Sequence, residues 1–515
     1  MRGVVAAGHE LTAEAGARVL REGGNAVDAA VGAVLTSFAV ESPLTGLGAG
    51  GFMLVHSGDE NVLLDFFVEV PGMAGVERRG DLVPISVLFD ETPQVFNIGA
   101  ASCGVPGTPA GLAEALRRFG SVPMSELIGP AVGYARDGVA VNAGQAYIFT
   151  VLEPILSEFD ETARLYAPAG RMLREGEIFR FPDLADALER LASDGPDPFY
   201  RGEVAQAIAE WVTERGGTLG ADDLAAYEPL AREPVCAGFR GREVLTNPPP
   251  SSGGILISLC LELLERLGSA GTEHVVAAIG EANRSRGEEF HAGLYDPTYP
   301  ERFLDPGRLD SLAAELRAGG GELGDAQRTP GGSGSTTHIT AVDAEGRCAS
   351  VTCSNGTGSG MLPPGTGVHV NNMLGEEDLN PLGFHALPAG RRMTSMMAPT
   401  IVLRDGELEA GLGSGGSNRI RSAILQVILR LVADGMPAPD AVEAGRLHFE
   451  EGVVQAEPGV DPDALSRLEA RGVPVARWRR RNLFFGGAHI VARDPETGQL
   501  AGGGDPRRGG AVALA

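Results

Sequence analysis

Apolar residues recur at helical spacing over Leu11 to Glu22 and again over Asn25 to Phe38, with Gly23 and Gly24 breaking the run, so the chain is expected to open with two helices. A glycine loop, Gly46 to Gly51, follows. The period then shortens: Phe52 to His56 and Asn61 to Phe67 read as two strands turning at Ser57, Gly58 and Asp59. From about Gly111 to Leu316 helical spacing dominates, punctuated by loops such as residues 247–254 (NPPPSSGG) and 295–300 (YDPTYP). Between Ala318 and Ser335 the chain reads AGGGELGDAQRTPGGSGS, which offers little that can pack and is expected to be a loose surface segment. Directly behind it, Thr336 to Asp343 and Arg347 to Ser354 predict a β-hairpin turning at Ala344, Glu345 and Gly346. A second hairpin, Pro399 to Leu412, turns at Asp405 and Gly406. A loop from Gly413 to Gly416 is then expected to feed an amphipathic helix, Asn418 to Asp434, and a further strand pair spans Gly487 to Leu500. The chain after Ser335 thus reads as a strand-rich layer with helices, and no fixed-period repeat is detected.

With 515 residues, 43% hydrophobic and 21% charged, the chain has the apolar material of a large globular core. Its length admits several domains or one extended α/β unit. The balance of 42 basic against 68 acidic residues, net charge -26 and without a lysine, argues against a nucleic-acid partner. The densest basic run, Arg477 to Arg481 around Trp478, reads as a solvated face or an ion-pair group. No run approaches a membrane span, the stretch from Ala29 to Val40 being too short, and the opening MRGVVAAGHELTAEAG lacks the apolar core of a leader. A cytoplasmic protein without a membrane partner is expected. The cysteines, Cys103, Cys236, Cys260, Cys348 and Cys353, are odd in number and scattered, which suits free thiols.

The chemistry is narrowed by elimination. The dinucleotide spacing GxGxxG occurs at Gly46, Gly319 and Gly411. Only the third lies between a strand and a helix, and that strand reads as half of an antiparallel hairpin rather than the start of a βαβ unit. Lacking lysine, the chain has no phosphate-binding GxxxxGK[ST]; HExxH and GxSxG are absent, and the histidines show no metal-ligand spacing. Neither a metal nor a cofactor is expected. What remains is Gly334, Ser335, Thr336, Thr337 and His338, a hydroxyl residue at the start of a strand behind a loop loose enough to be cut. If the Ser335–Thr336 bond breaks, Thr336 gains an α-amine whose ordinary pKa of about 7.7 to 8.0 suits it to take the proton of its own hydroxyl. The same residues also fit the start of an ordinary strand. The 413–416 glycines before a helix could present backbone N–H groups to a developing oxyanion, or form a plain turn. Ser354 and Asn355 end the second strand of the first hairpin, which returns them beside Thr336.

In this ordered set the sequence resembles the γ-glutamyltransferase (γ-glutamyltranspeptidase) family of N-terminal-nucleophile (Ntn) hydrolases. The matching stretches are EGGNAVDAA (Glu22 to Ala30), GGFM (Gly50 to Met53), GVPGT (Gly104 to Thr108), ARDG (Ala135 to Gly138), PPPSSGG (Pro248 to Gly254), TTH (Thr336 to His338), Asn371 with Asn372, and GGS (Gly415 to Ser417). The resemblance implies an α/β (α+β) fold, a four-layer α/β/β/α Ntn-hydrolase sandwich. It also implies a precursor self-cleaved between Ser335 and Thr336 into residues 1–335 and 336–515, which together make one intertwined fold. It implies Thr336 as nucleophile, Gly415 and Gly416 as oxyanion pair, and Ser354 in place of a family threonine that bonds the nucleophile's amine. The implied activity is cleavage of an amide by a threonine nucleophile, with hydrolysis or transfer of the acyl group, as in glutathione hydrolysis. The partners would be a small amide, water or an amine acceptor, and the two halves of one precursor, with a homodimer left open. An uncleaved, non-catalytic binding homologue is the alternative of another class.

The donor pocket departs from the family pattern. A motif resembling DFREMAP, whose arginine holds the donor carboxylate, here reads DFFVEVP and puts Phe67 at that position. Of a serine pair only Ser395 survives, beside Met396. A family asparagine appears as Gly356, a glutamine as Met373 and an aspartate as Glu376, while Asn355 is carried as a further contact. Burying a carboxylate without its cation costs about 3–5 kcal/mol. Either another arginine, Arg392 or Arg419, takes over, or the acyl group is less polar than γ-glutamyl and packs on Phe67, Met373 and Met396.

Overall fold

The computed structural model describes residues 1–73, 75–89, 92–318 and 336–515. Two antiparallel sheets lie face to face between helical layers, and the alternation of residues along their strands sets which face each layer covers.

The first sheet has seven strands in the order Ala511–Leu514, Gly3–Ala7, Thr337–Asp343, Cys348–Ser354, Gly50–Ser57, Glu60–Phe66 and Leu230–Arg232. On Thr337–Asp343 and its neighbour, Ile339, Ala341, Ala349, Val351 and Cys353 join one core with the helices Glu10–Arg21 and Ala26–Val40. The intervening positions face the other sheet. That second sheet runs Leu500–Gly503, Gly487–Arg493, Glu407–Gly415, Thr400–Arg404, Arg242–Thr246 and Val235–Phe239. Its far face is covered by the helices Gly253–Leu267 and Arg419–Val432. The expected α/β/β/α sandwich is therefore present.

Both opening helices start where a side chain satisfies their free N–H groups. His9 Nδ1 accepts from the Leu11 amide at 3.1 Å, and Asn25 with Asp28 forms a reciprocal capping box. All fifteen residues of Ala26–Val40 are buried, which is why this helix is apolar all round.

Three expectations need correction. Gly413 to Gly415 are not a loop; they continue the strand Glu407–Gly415. The glycines are there because the sheets approach closely. A Cβ on Gly411 would stand 2.3 Å from Cys348 Sγ, on Gly413 2.3 Å from the His338 ring, and on Gly415 2.4 Å from the Thr336 carbonyl oxygen. The helical middle also contains Leu230–Arg232, Val235–Phe239 and Arg242–Thr246, which complete an edge of each sheet. Finally, Gly3–Ala7 and Ala511–Leu514 are strands that periodicity did not suggest. They pair with each other, and Gly3–Ala7 pairs on its other side with the strand behind Thr336.

Candidate active site

The register of the first hairpin decides the geometry. Thr337 pairs with Cys353, so Thr336 and Ser354 fall opposite one another on the face turned toward the second sheet. Both are buried, and the Thr336 hydroxyl donates to Ser354 Oγ at 3.2 Å. Ser354 Oγ in turn accepts the Gly356 amide at 3.0 Å. Ser335, the expected cleavage partner, lies outside the described residues.

Next along the same face, His338 bonds Thr352 through Nδ1 at 2.8 Å and Thr340 through Nε2 at 2.9 Å. Burial, with His489 stacked nearby, pushes His338 well below the usual imidazole range. A neutral ring with both nitrogens engaged is a structural member of this row rather than a base for Thr336. Thr337 points the opposite way and donates to Glu41 at 2.6 Å, as does Thr12 at 2.6 Å. These bonds tie the strand behind Thr336 to the end of the helix Ala26–Val40.

Gly415 lies against the Thr336 backbone and pairs in register with Gly487. After it the chain turns sharply: Gly416 has φ +129 and Ser417 φ +52. Gly416 needs its missing side chain there, since a Cβ would stand 2.8 Å from the Gly486 Cα. The turn is pinned from behind. Ser417 donates to Asp378, and Asn418, which precedes the helix Arg419–Val432, donates to Asp378 at 3.2 Å and to Glu450 at 3.0 Å. Asp378 and Glu450 were not singled out from the sequence. The only hint of Asp378 was an acidic run, Glu376 to Asp378, which normally reads as solvated surface.

Thr336 separates two cavities. The smaller, about 40 Å³, collects Phe67, Met373, Glu376, Ser395 and Met396 around Thr336 and Ser354, with Gly356, Asp378 and Met397 completing much of its wall. Phe67 is fully buried and stacks on Phe52 at 5.2 Å. No basic side chain lines this cavity among the described residues. Glu376 accepts from Asn372 at 3.0 Å, and burial pushes its carboxyl up to about 7; burial also raises Asp378, to about 6.

Asn355 does not join this wall. Its amide is spent on the His369 carbonyl at 3.0 Å, because the strand end turns it away from Thr336. Nor does Arg392 supply the missing cation. Its guanidinium donates to the Phe67 carbonyl, the Tyr227 hydroxyl and, at 2.7 Å, the Glu228 carbonyl, and pairs with Glu69 at 3.2 Å. Arg419 packs over Phe484 at 4.2 Å and is likewise absent from the lining.

The larger cavity, about 270 Å³, opens on the other side of Thr336. Residues of the helix Ala143–Val151 line it together with Gly487 and Arg508. No helix among the described residues is long and apolar enough to cross a membrane.

Residues 12–515 match the family model described as Gamma-glutamyltranspeptidase. The chain is 32% identical over 513 residues to the Acylase ACY 1 proenzyme of Pseudomonas sp. (strain SE83), covering 97% of this chain and 91% of that protein. It is 32% identical over 537 residues to the Glutathione hydrolase proenzyme of Escherichia coli (strain K12), covering 98% and 90%. Among solved structures, the cephalosporin acylase from Bacillus halodurans superposes with a TM-score of 0.83 at 27% identity, covering 100% of this chain and 96% of that one.

Proposed function

As the chain belongs to the gamma-glutamyltranspeptidase family and is an enzyme of its hydrolase and acyltransferase class, we propose that it is a self-processing acylase whose nucleophile is Thr336 and whose acyl group is less polar than γ-glutamyl. Scission of the Ser335–Thr336 bond leaves Thr336 with a free α-amine. That amine takes the hydroxyl proton while Oγ1 bonds to the carbonyl carbon of the substrate amide. The carbonyl oxygen becomes negative against the backbone N–H groups of Gly415 and Gly416. The C–N bond then breaks, the leaving nitrogen takes the proton from the α-ammonium, and the acyl group remains as an ester on Thr336. Water, deprotonated by the same amine, releases the acid, or an acceptor amine takes the acyl group.

The observation that carries this reading is the placement of the Thr336 hydroxyl. It is bonded to Ser354 and faces a cavity walled by Phe67, Met373 and Met396, and His338, the histidine next along its strand, has both ring nitrogens engaged elsewhere. The lack of an arginine in that wall favours an apolar acyl group, since a buried carboxylate would lose about 3–5 kcal/mol without its partner. Two relatives named as acylases lend support. Glu376, whose carboxyl burial pushes up to about 7, offers a hydrogen bond to one polar group on the acyl chain.

The test is denaturing gel electrophoresis of wild type beside Thr336→Ala, followed by mass spectrometry of the mature protein with anilides of unbranched acids, γ-glutamyl anilide and glutathione. Two fragments, an ester on Thr336 and preference for the unbranched acids are expected. An intact wild-type band after long incubation, or activity in Thr336→Ala, would refute the proposal.

A further inference from the structure

Between the strand Glu407–Gly415 and the helix Arg419–Val432 the chain changes direction within three residues, Gly416, Ser417 and Asn418. It does so by taking Gly416 to φ +129 and Ser417 to φ +52. Glycine reaches such angles without a steric penalty. Ser417 carries a Cβ, for which the left-handed region is unfavourable, so its conformation has to be stabilised from outside the turn.

Two carboxylates supply that hold. The Ser417 hydroxyl donates to Asp378 Oδ2, and the buried Asn418 amide donates to Asp378 Oδ1 at 3.2 Å and to Glu450 Oε1 at 3.0 Å. An amide nitrogen has two hydrogens, so Asn418 gives one to each carboxylate; the reversed amide would set its oxygen against both. Each oxygen of Asp378 is thus bonded to the turn. The two carboxylates are themselves fixed by different parts of the chain. Asp378 sits in the short helical turn Glu377–Leu379, which Asn380 closes by donating to the carbonyls of Met373 at 3.0 Å and Glu376 at 2.8 Å. Glu450 ends the strand Leu447–Glu450 and lies 3.1 Å from His448 Nε2, while His448 Nδ1 bonds Ser422 on the helix Arg419–Val432 at 2.8 Å. The turn is therefore gripped between a loop that walls the smaller cavity and the framework behind its own helix.

Resting on the acylase reading above, in which the substrate's carbonyl oxygen becomes negative against the N–H groups of Gly415 and Gly416, we infer that Asp378 is a positioning residue for this reaction: through Ser417 and Asn418 it fixes the direction of those N–H groups, with Glu450 as the second hold on Asn418. Asp378 also lines the smaller cavity, which makes direct contact with the acyl chain the competing role. The engagement of both its oxygens by the turn favours positioning. The two roles differ in what they do to the kinetics. A group acting only through the oxyanion donors matters more in the transition state than in the bound substrate, so its loss lowers kcat and leaves KM nearly alone; a group that grips the acyl chain raises KM.

The test compares wild type, Asp378→Asn, Ser417→Ala and the double variant as full-length, self-processed proteins, with active sites counted by the burst of ester on Thr336. In Asp378→Asn, kcat per active site is expected to fall roughly ten- to a hundredfold, the scale of a misplaced oxyanion donor, with KM within about threefold. The inhibition constant of butylboronic acid, which forms a tetrahedral anion on Thr336 Oγ1, should rise by at least about tenfold. Ser417→Ala cuts the same bond from the side of the turn and should show the same pattern. The double variant should be no more than about twofold worse than the more severe single one, because both remove one contact. A kcat per site that stays at the wild-type value, a loss confined to KM, or single losses that multiply in the double variant would overturn the inference. Ser417→Ala decides the matter if Asp378→Asn fails to fold or to process. An unchanged kcat in variants that form the ester would remove this role of Asp378 and leave the acylase reading intact. A wild type that forms no ester would remove the acylase reading itself, and a preference for γ-glutamyl anilide would remove only its acyl group, the Asp378 result then being read on that substrate.

Discussion

Thr336 and Ser354 stand opposite one another on adjacent antiparallel strands, hydroxyl to hydroxyl at 3.2 Å, although 18 residues separate them in the chain. The contact follows from the tight turn at residues 344–346, and it holds the Thr336 hydroxyl toward the second sheet rather than toward the helices. Its consequence is measurable. Ser354→Ala removes the acceptor and should lower kcat/KM roughly ten- to a hundredfold, about 1.4 to 2.7 kcal/mol of barrier. Ser354→Thr keeps the hydroxyl and should stay within a few-fold of wild type. Steady-state kinetics on the processed enzymes decides it, and equal activity of the alanine and threonine variants would show the contact to be incidental.

Gly415 tolerates no side chain. Gly415→Ala would place its Cβ 2.4 Å from the Thr336 carbonyl oxygen, so the strand must move away from Thr336. The expected result is a folded protein by circular dichroism with turnover down by about 10²–10³ or more, the scale of one lost oxyanion donor. Wild-type rates in that variant would remove Gly415 from the mechanism.

The smaller cavity makes a prediction about specificity. Phe67→Arg with Met396→Ser introduces a cation and a hydroxyl into the wall of the smaller cavity. The ratio of kcat/KM for γ-glutamyl anilide to that for an unbranched acyl anilide should rise by at least about tenfold, one charge-assisted pair. The melting temperature should fall, because a fully buried ring stacked on Phe52 is lost. An unchanged ratio in a folded, processed variant would mean that Phe67 does not set the acyl preference.

Glu376 gives the protein a pH signature. Burial raises its carboxyl from 4.5 to about 7. Between those values the folded state binds more protons than the unfolded chain, so this group's contribution to stability is complete below about pH 4.5 and is lost as the pH rises through about 7. Glu376→Gln cannot titrate. Its melting temperature relative to wild type should therefore climb with pH, by about 2 °C or more between pH 5 and pH 8. A flat difference across that range would show that Glu376 is not held protonated by its surroundings.

Much of the fold was legible because the signals were local. Helical spacing and the break at Gly23 and Gly24 placed the first two helices, and the strand pattern placed the hairpin behind Thr336 close to its true ends. Gly3–Ala7 escaped because a five-residue apolar strand buried on both faces shows no alternation. The strands between Leu230 and Thr246 were lost inside a region whose average is helical. The glycines before Ser417 were misread for a related reason. Glycine usually announces a turn, yet at Gly411, Gly413 and Gly415 it records how near the other sheet lies, a distance that no single segment encodes.

The site divides along the same line. Residue types and order brought out Thr336, Ser354 and the glycine pair, and the resemblance to the family brought out the substitutions at Phe67, Met373, Glu376 and Met396, because each is a choice of chemistry written at one position. Only the packed chain decided that these side chains face one cavity, that Asn355 turns away from it and that Arg392 is consumed by Phe67, Tyr227, Glu228 and Glu69. Only it revealed Asp378 behind the Gly415–Gly416 turn, where Ser417 donates to it. The physical reason is that reactivity belongs to the side chain, whereas its partners and exposure arise from strands and loops hundreds of residues apart, joined when two sheets close on one another.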